Sequence, residues 1–256
     1  MANTLTIESG GQGQPPFASQ HRWDRNFFLF LVSYIWVTVL AGFGLDLVDH
    51  FQTHRYDYLW IVHLHAVVFV CWLVLLTVQL ALVRNGRVDV HRKLGAWGMG
   101  LATFIPPLGL LVSWMAERQH HGTVDSDASF FSFNIVHMVC FALLVGAAYR
   151  LRRDPSAHKR LILLATLFLS VAGFARLWTY TIGSPFGEGF WPVLVSMNSG
   201  PDLAILALGG YDLFTRSRLH PAYVAGALLI FASQLFANWL YFNPAWKDVA
   251  SWIAGY

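Results

Sequence analysis

Seven long apolar runs, separated by short polar or charged breaks, leave this chain few folds to choose from. They lie near 27–48, 58–83, 94–115, 130–149, 161–182, 191–214 and 221–242. A helix rising about 1.5 Å per residue needs roughly 20 apolar residues to cross the hydrocarbon of a bilayer, and each run is long enough. The apolar residues run on continuously instead of alternating with period two, so a β-barrel is excluded. Helices remain as the way to satisfy the backbone in lipid. Charged residues make up 12% of the 256, against about a quarter in a soluble domain. The expected fold is therefore all-α, a polytopic membrane bundle of about seven transmembrane helices.

The net charge of +3 does not point to nucleic acid, because the basic residues are confined to loops between apolar runs. One set of loops holds Arg22 and Arg25; Arg84, Arg87, Arg92 and Lys93; Arg150, Arg152, Arg153, Lys159 and Arg160; and Arg216 with Arg218. The other set carries little beyond Arg55, Arg118 and Lys247. By the positive-inside rule the basic ends face the cytoplasm, so the N-terminus lies inside and the C-terminus outside. Trp60, Trp114, Trp178 and Trp191 crowd the opposite ends, as an interfacial aromatic belt does. The expected location is the bacterial inner membrane, with the lipid bilayer as the first partner. Residues 1–26 contain Gly10-Gly11-Gln12-Gly13-Gln14-Pro15-Pro16 and lack the layout of a signal peptide. They read as a disordered cytoplasmic tail, ahead of a membrane domain over 27–243 and a short outer segment over 244–256. Cys71 and Cys140 fall inside apolar runs without metal-ligand spacing and read as buried, inert thiols.

Polar groups inside a span cost free energy unless paired or hydrated, so each one marks a candidate site. Counted upward from the basic ends, His137 and Asp202 lie roughly 20 Å into the bilayer, and His65 and Arg176 roughly 27 Å. His63, Asp46, Asp49, His50 and His54 approach the outer interface. His63 and His65 are about 200° apart around a helix and cannot face one site; the deeper His65 is preferred. Asn198-Ser199-Gly200-Pro201-Asp202 reads as an interruption of the sixth span, where a small ligand could bind in a sensor or transporter. Asp202 has two readings, an ion pair with Arg176 that locks two helices, or a ligand or proton role. Asn134 and Asn198 complete the polar pocket expected around these residues. His91 and His158 open the third and fifth helices among basic residues, where anchoring to lipid phosphates competes with ligation. His120, His121 and His220 read as solvated loop residues. A helix with an outer histidine, a basic turn and a histidine opening the next helix occurs twice, a weak internal repeat.

His65, His91, His137 and His158 thus stand at alternating ends of four consecutive helices. Over about 58–182 this pattern resembles the ascorbate-dependent transmembrane diheme cytochromes b. His91-Arg92-Lys93-Leu94-Gly95 is similar to their histidine-to-Leu-Gly stretch on the third helix. The resemblance implies that His65 and His137 hold one heme b on the outer side and His91 and His158 a second on the cytoplasmic side. A membrane oxidoreductase or electron-transfer protein with a redox donor and acceptor would follow. More of the chain is similar to an uncharacterised family of bacterial polytopic membrane proteins, through Ala157-His158-Lys159-Arg160-Leu161, Tyr211-Asp212-Leu213 and Leu219-His220-Pro221. A second reading has His65, His137 and Asp202 holding one zinc or iron ion with a position left open for water or substrate.

Overall fold

In the computed structural model, residues 17–18, 20–53, 57–123, 126–183 and 187–256 are described. His54 and Arg55 of the sequence reading lie outside them, as do residues 1–16. The apolar runs become α1 (Asp24–Thr53), α2 (Trp60–Arg84), α3 (Val88–His120), α4 (Phe131–Arg150), α5 (Pro155–Leu169), α6 (Val171–Ile182), α7 (Phe190–Arg216) and α8 (Pro221–Tyr241). One 3-10 turn (Ala128–Phe130) leads into α4, and a short α9 (Pro244–Ala254) follows α8. Six helices are each long and apolar enough to cross a membrane, and α5 and α6, bent by 42° at their junction, together have the length and hydropathy of a seventh. The protein is a multi-pass membrane bundle.

Local chemistry sets the helix starts. Asp154-Pro155, His220-Pro221 and Asn243-Pro244 each place a side-chain acceptor before a proline that has no N–H to lose. Asp154 Oδ1 accepts from the amides of Ser156 and Ala157 at 2.9 and 3.2 Å, and Asn243 Oδ1 from Ala245 at 3.0 Å. The Asp154 cap extends α5 upstream of the expected boundary, and α3 likewise begins at Val88. His91 and His158 therefore sit inside helices, one turn from the start.

Two expectations about helix breaks are corrected. The Gly200-Pro201 pair does not interrupt its span: α7 runs unbroken from Phe190 to Arg216. Gly200 instead provides room, because a Cβ there would overlap the Phe174 ring of α6. The real bend lies at Ser170, where the Oγ donates back to the Leu167 carbonyl at 2.7 Å. Serine back-bonding of this kind loosens the helical ladder and bends helices.

Helices α4 and α5 pack along each other at the centre, with α8 against both, while α3 joins α2 to α4 and α6 carries α1 and α7. Phe141, Leu164, Leu167 and Phe168 are fully buried between them. Where α1 meets α6, Gly42 and Gly173 bring the two backbones together, small-residue packing of the kind that lets membrane helices associate. Helix α9 folds back over the end opposite the basic loops, where Trp114 Nε1 donates to the Ile253 carbonyl and Trp246 Nε1 to the Ser129 carbonyl.

Just before α1, Phe17 and Ala18 contact the basic end of the bundle. Arg216 Nε donates to the Ala18 carbonyl at 2.9 Å, and the Phe17 ring covers the Arg160 and Arg216 guanidiniums at 4.7 and 5.3 Å. Cys140 is buried as expected, whereas Cys71 is exposed on the outside of α2.

Candidate functional site

The bend at Ser170 separates α6 from the line of α5 and leaves a cleft of about 130 Å³ beside α2, α3 and α4. His65 of α2 and His137 of α4 both line it, with Asn134, Ser113 and Met138. His63 is exposed and does not line it, as the 200° argument requires. His137 is 7% exposed. Phe168 meets its ring edge-on at 4.4 Å, and its Nε2 is buried without a hydrogen-bond partner. An unmet polar atom in such surroundings costs about 1–3 kcal/mol. Gly109 keeps the wall thin opposite this ring, since a Cβ there would press on Met138 Sδ.

His91 and His158 meet at the basic end. Their ring centroids are 6.3 Å apart and the planes are nearly perpendicular, at 84°. His158 Nδ1 bonds the Ala148 carbonyl at 2.9 Å, which makes Nδ1 the protonated nitrogen and leaves Nε2 as the lone-pair nitrogen. His91 Nδ1 is buried without a partner, and Gln79 of α2 anchors the backbone there by donating to the His91 carbonyl at 3.2 Å. Counting 14 residues from His65 to Gln79 along α2 separates the two histidine pairs by roughly 21 Å. Between them the interior is aromatic: Trp72 packs edge-on against Phe141 at 5.5 Å and donates to Thr166 Oγ1 at 3.2 Å.

The donor set can be tested against a bound iron porphyrin. His91 and His158 would be the residues to hold such a group at the basic end, since the bond from His158 Nδ1 to Ala148 leaves its Nε2 lone pair free and His91 stands beside it. At the other pair the orphaned Nε2 of His137 fits a ligand atom. The cleft there is smaller than the roughly 300–1,000 Å³ of pockets that enclose a drug-sized ligand. A macrocycle would enter only with Met138 and the aromatic lining turned aside.

The other site residues read from the sequence do not join this cleft, apart from Asn134. Asp202 accepts from Gln234 Nε2 at 2.7 Å, in the α7–α8 interface, and does not line the cleft with His65 and His137. Among the described residues no three histidine, cysteine or acidic side chains gather where they could hold a metal ion. Arg176 pairs with Asp46 at 3.1 Å, not with Asp202, and lies over the Phe43 ring that lines the cleft. Asn198 is buried, donates to the Leu194 carbonyl of its own helix and does not line the cleft.

The sequence reading missed a charged cluster at the basic end, having taken its cations as topology markers alone. Arg160 is completely buried and grips Asp212 with two guanidinium nitrogens, Nε at 2.6 Å, while Nη1 donates to the Ser156 carbonyl at 2.8 Å. Arg216 reaches both oxygens of Asp24 at 2.9 Å, and Lys159 and Tyr211 reach the same carboxylate at 2.7 and 2.6 Å. The available signal was Asp212 four residues before Arg216, acid and base one turn apart in a run otherwise apolar. His220 belongs to this cluster and is buried where solvation was expected. Its Nδ1 accepts from the Ala222 amide at 3.1 Å and caps α8, and its Nε2 stands 3.7 Å from Asp154. Burial, reinforced by the charge of Arg160, pushes the imidazole below its usual range and favours the neutral form the cap needs.

Compared with family models, curated proteins and solved structures, the chain matches none.

Proposed function

We propose that the protein is a b-type heme-binding electron-transfer protein that carries electrons across the membrane between its two histidine pairs. The observation that carries this reading is the His91–His158 pair, 6.3 Å apart with one Nδ1 committed to a backbone carbonyl. His65 and His137 form the second site, at the end opposite the basic loops. Each heme iron, when bound, supplies reversible one-electron chemistry. The chain's part is to hold neutral imidazoles, exclude water and fix the ring orientations. Ala148 sets the tautomer of His158, Phe168 holds the His137 ring edge-on, and Gln79 ties the start of α3 to α2. Trp72 and Phe141 fill the space between the sites with packed aromatic side chains. With basic loops cytoplasmic, the His91–His158 site faces the cytoplasm of a bacterial inner membrane and the cleft faces outward. A reductant and an oxidant on opposite sides are the partners this reading requires.

The test is the reduced-minus-oxidised absorption spectrum of protein purified with heme available. Histidine-ligated heme is expected, with His65→Ala and His137→Ala removing one and the same component and His91→Ala with His158→Ala removing another. Four variants that fold like the parent with unchanged absorption would sink the reading.

A further inference from the structure

The α7–α8 interface carries a second polar constellation that the histidine sites do not use. Asn198 and Asp202 are one turn apart on α7, and Gln234 and Asn238 are one turn apart on α8. Gln234 joins the helices by donating to Asp202 Oδ1 at 2.7 Å. Asp202 lies 14 residues from Arg216, so this bond is roughly 21 Å from the basic end, deep in the membrane. Toward the other end, Asn198 Nδ2 donates to the Leu194 carbonyl at 2.9 Å and Asn238 Nδ2 to the Phe190 carbonyl at 2.8 Å. These acceptors fix both amide orientations. Both Oδ1 atoms are left buried and without a donor, on side chains 1% and 0% exposed. Buried carbonyl oxygens left without a donor are the groups that ordered water commonly satisfies inside proteins.

No cation neutralises Asp202 among the described residues. On α6, Arg176 pairs with Asp46, and Tyr180 donates to the same carboxylate. On α5, Lys159 and Arg160 are engaged by Asp24 and Asp212 at the basic end. On α8, Tyr223 donates to the Ile205 carbonyl, Tyr241 to Asp127, and His220 stands beside Asp154. Tyr34 of α1 is the nearest phenol along α7 and donates to the Gly200 carbonyl at 3.1 Å. A carboxyl within the span, with one amide donor and no counter-ion among the described residues, is a costly place for a charge.

We propose that Asp202 is a proton-binding site within the membrane, reached from the end opposite the basic loops through water held by the Asn238 and Asn198 oxygens. The step is a reversible proton transfer. The carboxyl O–H bond breaks, the proton passes to water beside Asn198, and the carboxylate keeps the Gln234 N–H. None of these four residues lines the histidine cleft, so the assignment stands or falls independently of heme.

The test uses the full chain in lipid nanodiscs. Leu206, one turn beyond Asp202, is exposed at the lipid face, so an apolar carbodiimide can approach the carboxyl. Dicyclohexylcarbodiimide is expected to modify Asp202, with a rate that falls as pH rises. Infrared spectra at neutral pH should show a carboxylic C=O band that Asp202→Asn removes. In the Asn198→Leu/Asn238→Leu variant the band should persist while its exchange in D2O slows by an order of magnitude. If Asp202→Asn does not fold, Gln234→Leu serves instead, and it should raise the frequency of the band by removing its donor. Absence of both the adduct and the band overturns the site. Unchanged exchange in the asparagine variant overturns the water path, and an unmoved band in Gln234→Leu overturns the assignment to Asp202.

Discussion

The ion cluster and the histidine and amide sites of the bundle handle buried polarity in opposite ways. At the basic end, Arg160, Asp212, Arg216, Asp24, Lys159 and Tyr211 form a chain in which every named group has a partner. Outside that cluster, His137 Nε2, Asn198 Oδ1, Asn238 Oδ1 and, at the basic end itself, His91 Nδ1 are buried with none. Satisfied networks in low dielectric hold elements in register, whereas unsatisfied groups cost stability unless a ligand or water meets them. The ion cluster ties α1, α5 and α7 together, while the unsatisfied atoms lie in the cleft, in the α7–α8 ladder and beside His158.

The largest test of this contrast is Arg160→Met. Removing Arg160 leaves the buried Asp212 with only Arg216 Nη1 at 3.6 Å, and breaking such pairs costs about 3–5 kcal/mol. Thermal unfolding in detergent should show a severe loss, and a protein as stable as the parent would show that the cluster is not structural.

A smaller effect is expected at His220. Loss of the α8 cap in His220→Ala should cost about 1 kcal/mol. Because the folded imidazole is held below the ordinary 6.5, its contribution is complete above that value and is lost as pH falls through the lowered folded value. A parent that weakens on acidification and an alanine variant that weakens less would confirm the neutral cap. Parallel pH profiles would contradict it.

The smallest effect is expected at His137. In protein prepared without heme, His137→Leu exchanges an unsatisfied imidazole for an apolar side chain, a change that is nearly neutral or stabilising. A loss above about 2 kcal/mol would mean that the imidazole has a structural partner, and the contrast with the ion cluster would fail there.

The sequence alone determined the membrane class and the six or seven apolar helices, because bilayer thickness imposes one length on every apolar run. It also ordered His65, His91, His137 and His158 by depth and put His63 and His65 on different faces, since both follow from counting at 1.5 Å and 100° per residue. Partner choice was beyond such counting. Arg176 turned to Asp46 and Asp202 to Gln234, because which helices touch depends on glycine contacts such as Gly42–Gly173 that no single helix reveals. Pro201 looked like a break and was not one, while Ser170 looked unremarkable and bent its span. A serine bends a helix only when its hydroxyl turns back to the preceding turn, a rotamer that the surrounding packing selects. The ion cluster was hidden for the same reason. Arg160 and Asp212 are 52 residues apart in the chain, and only the packing of α5 against α7 joins them.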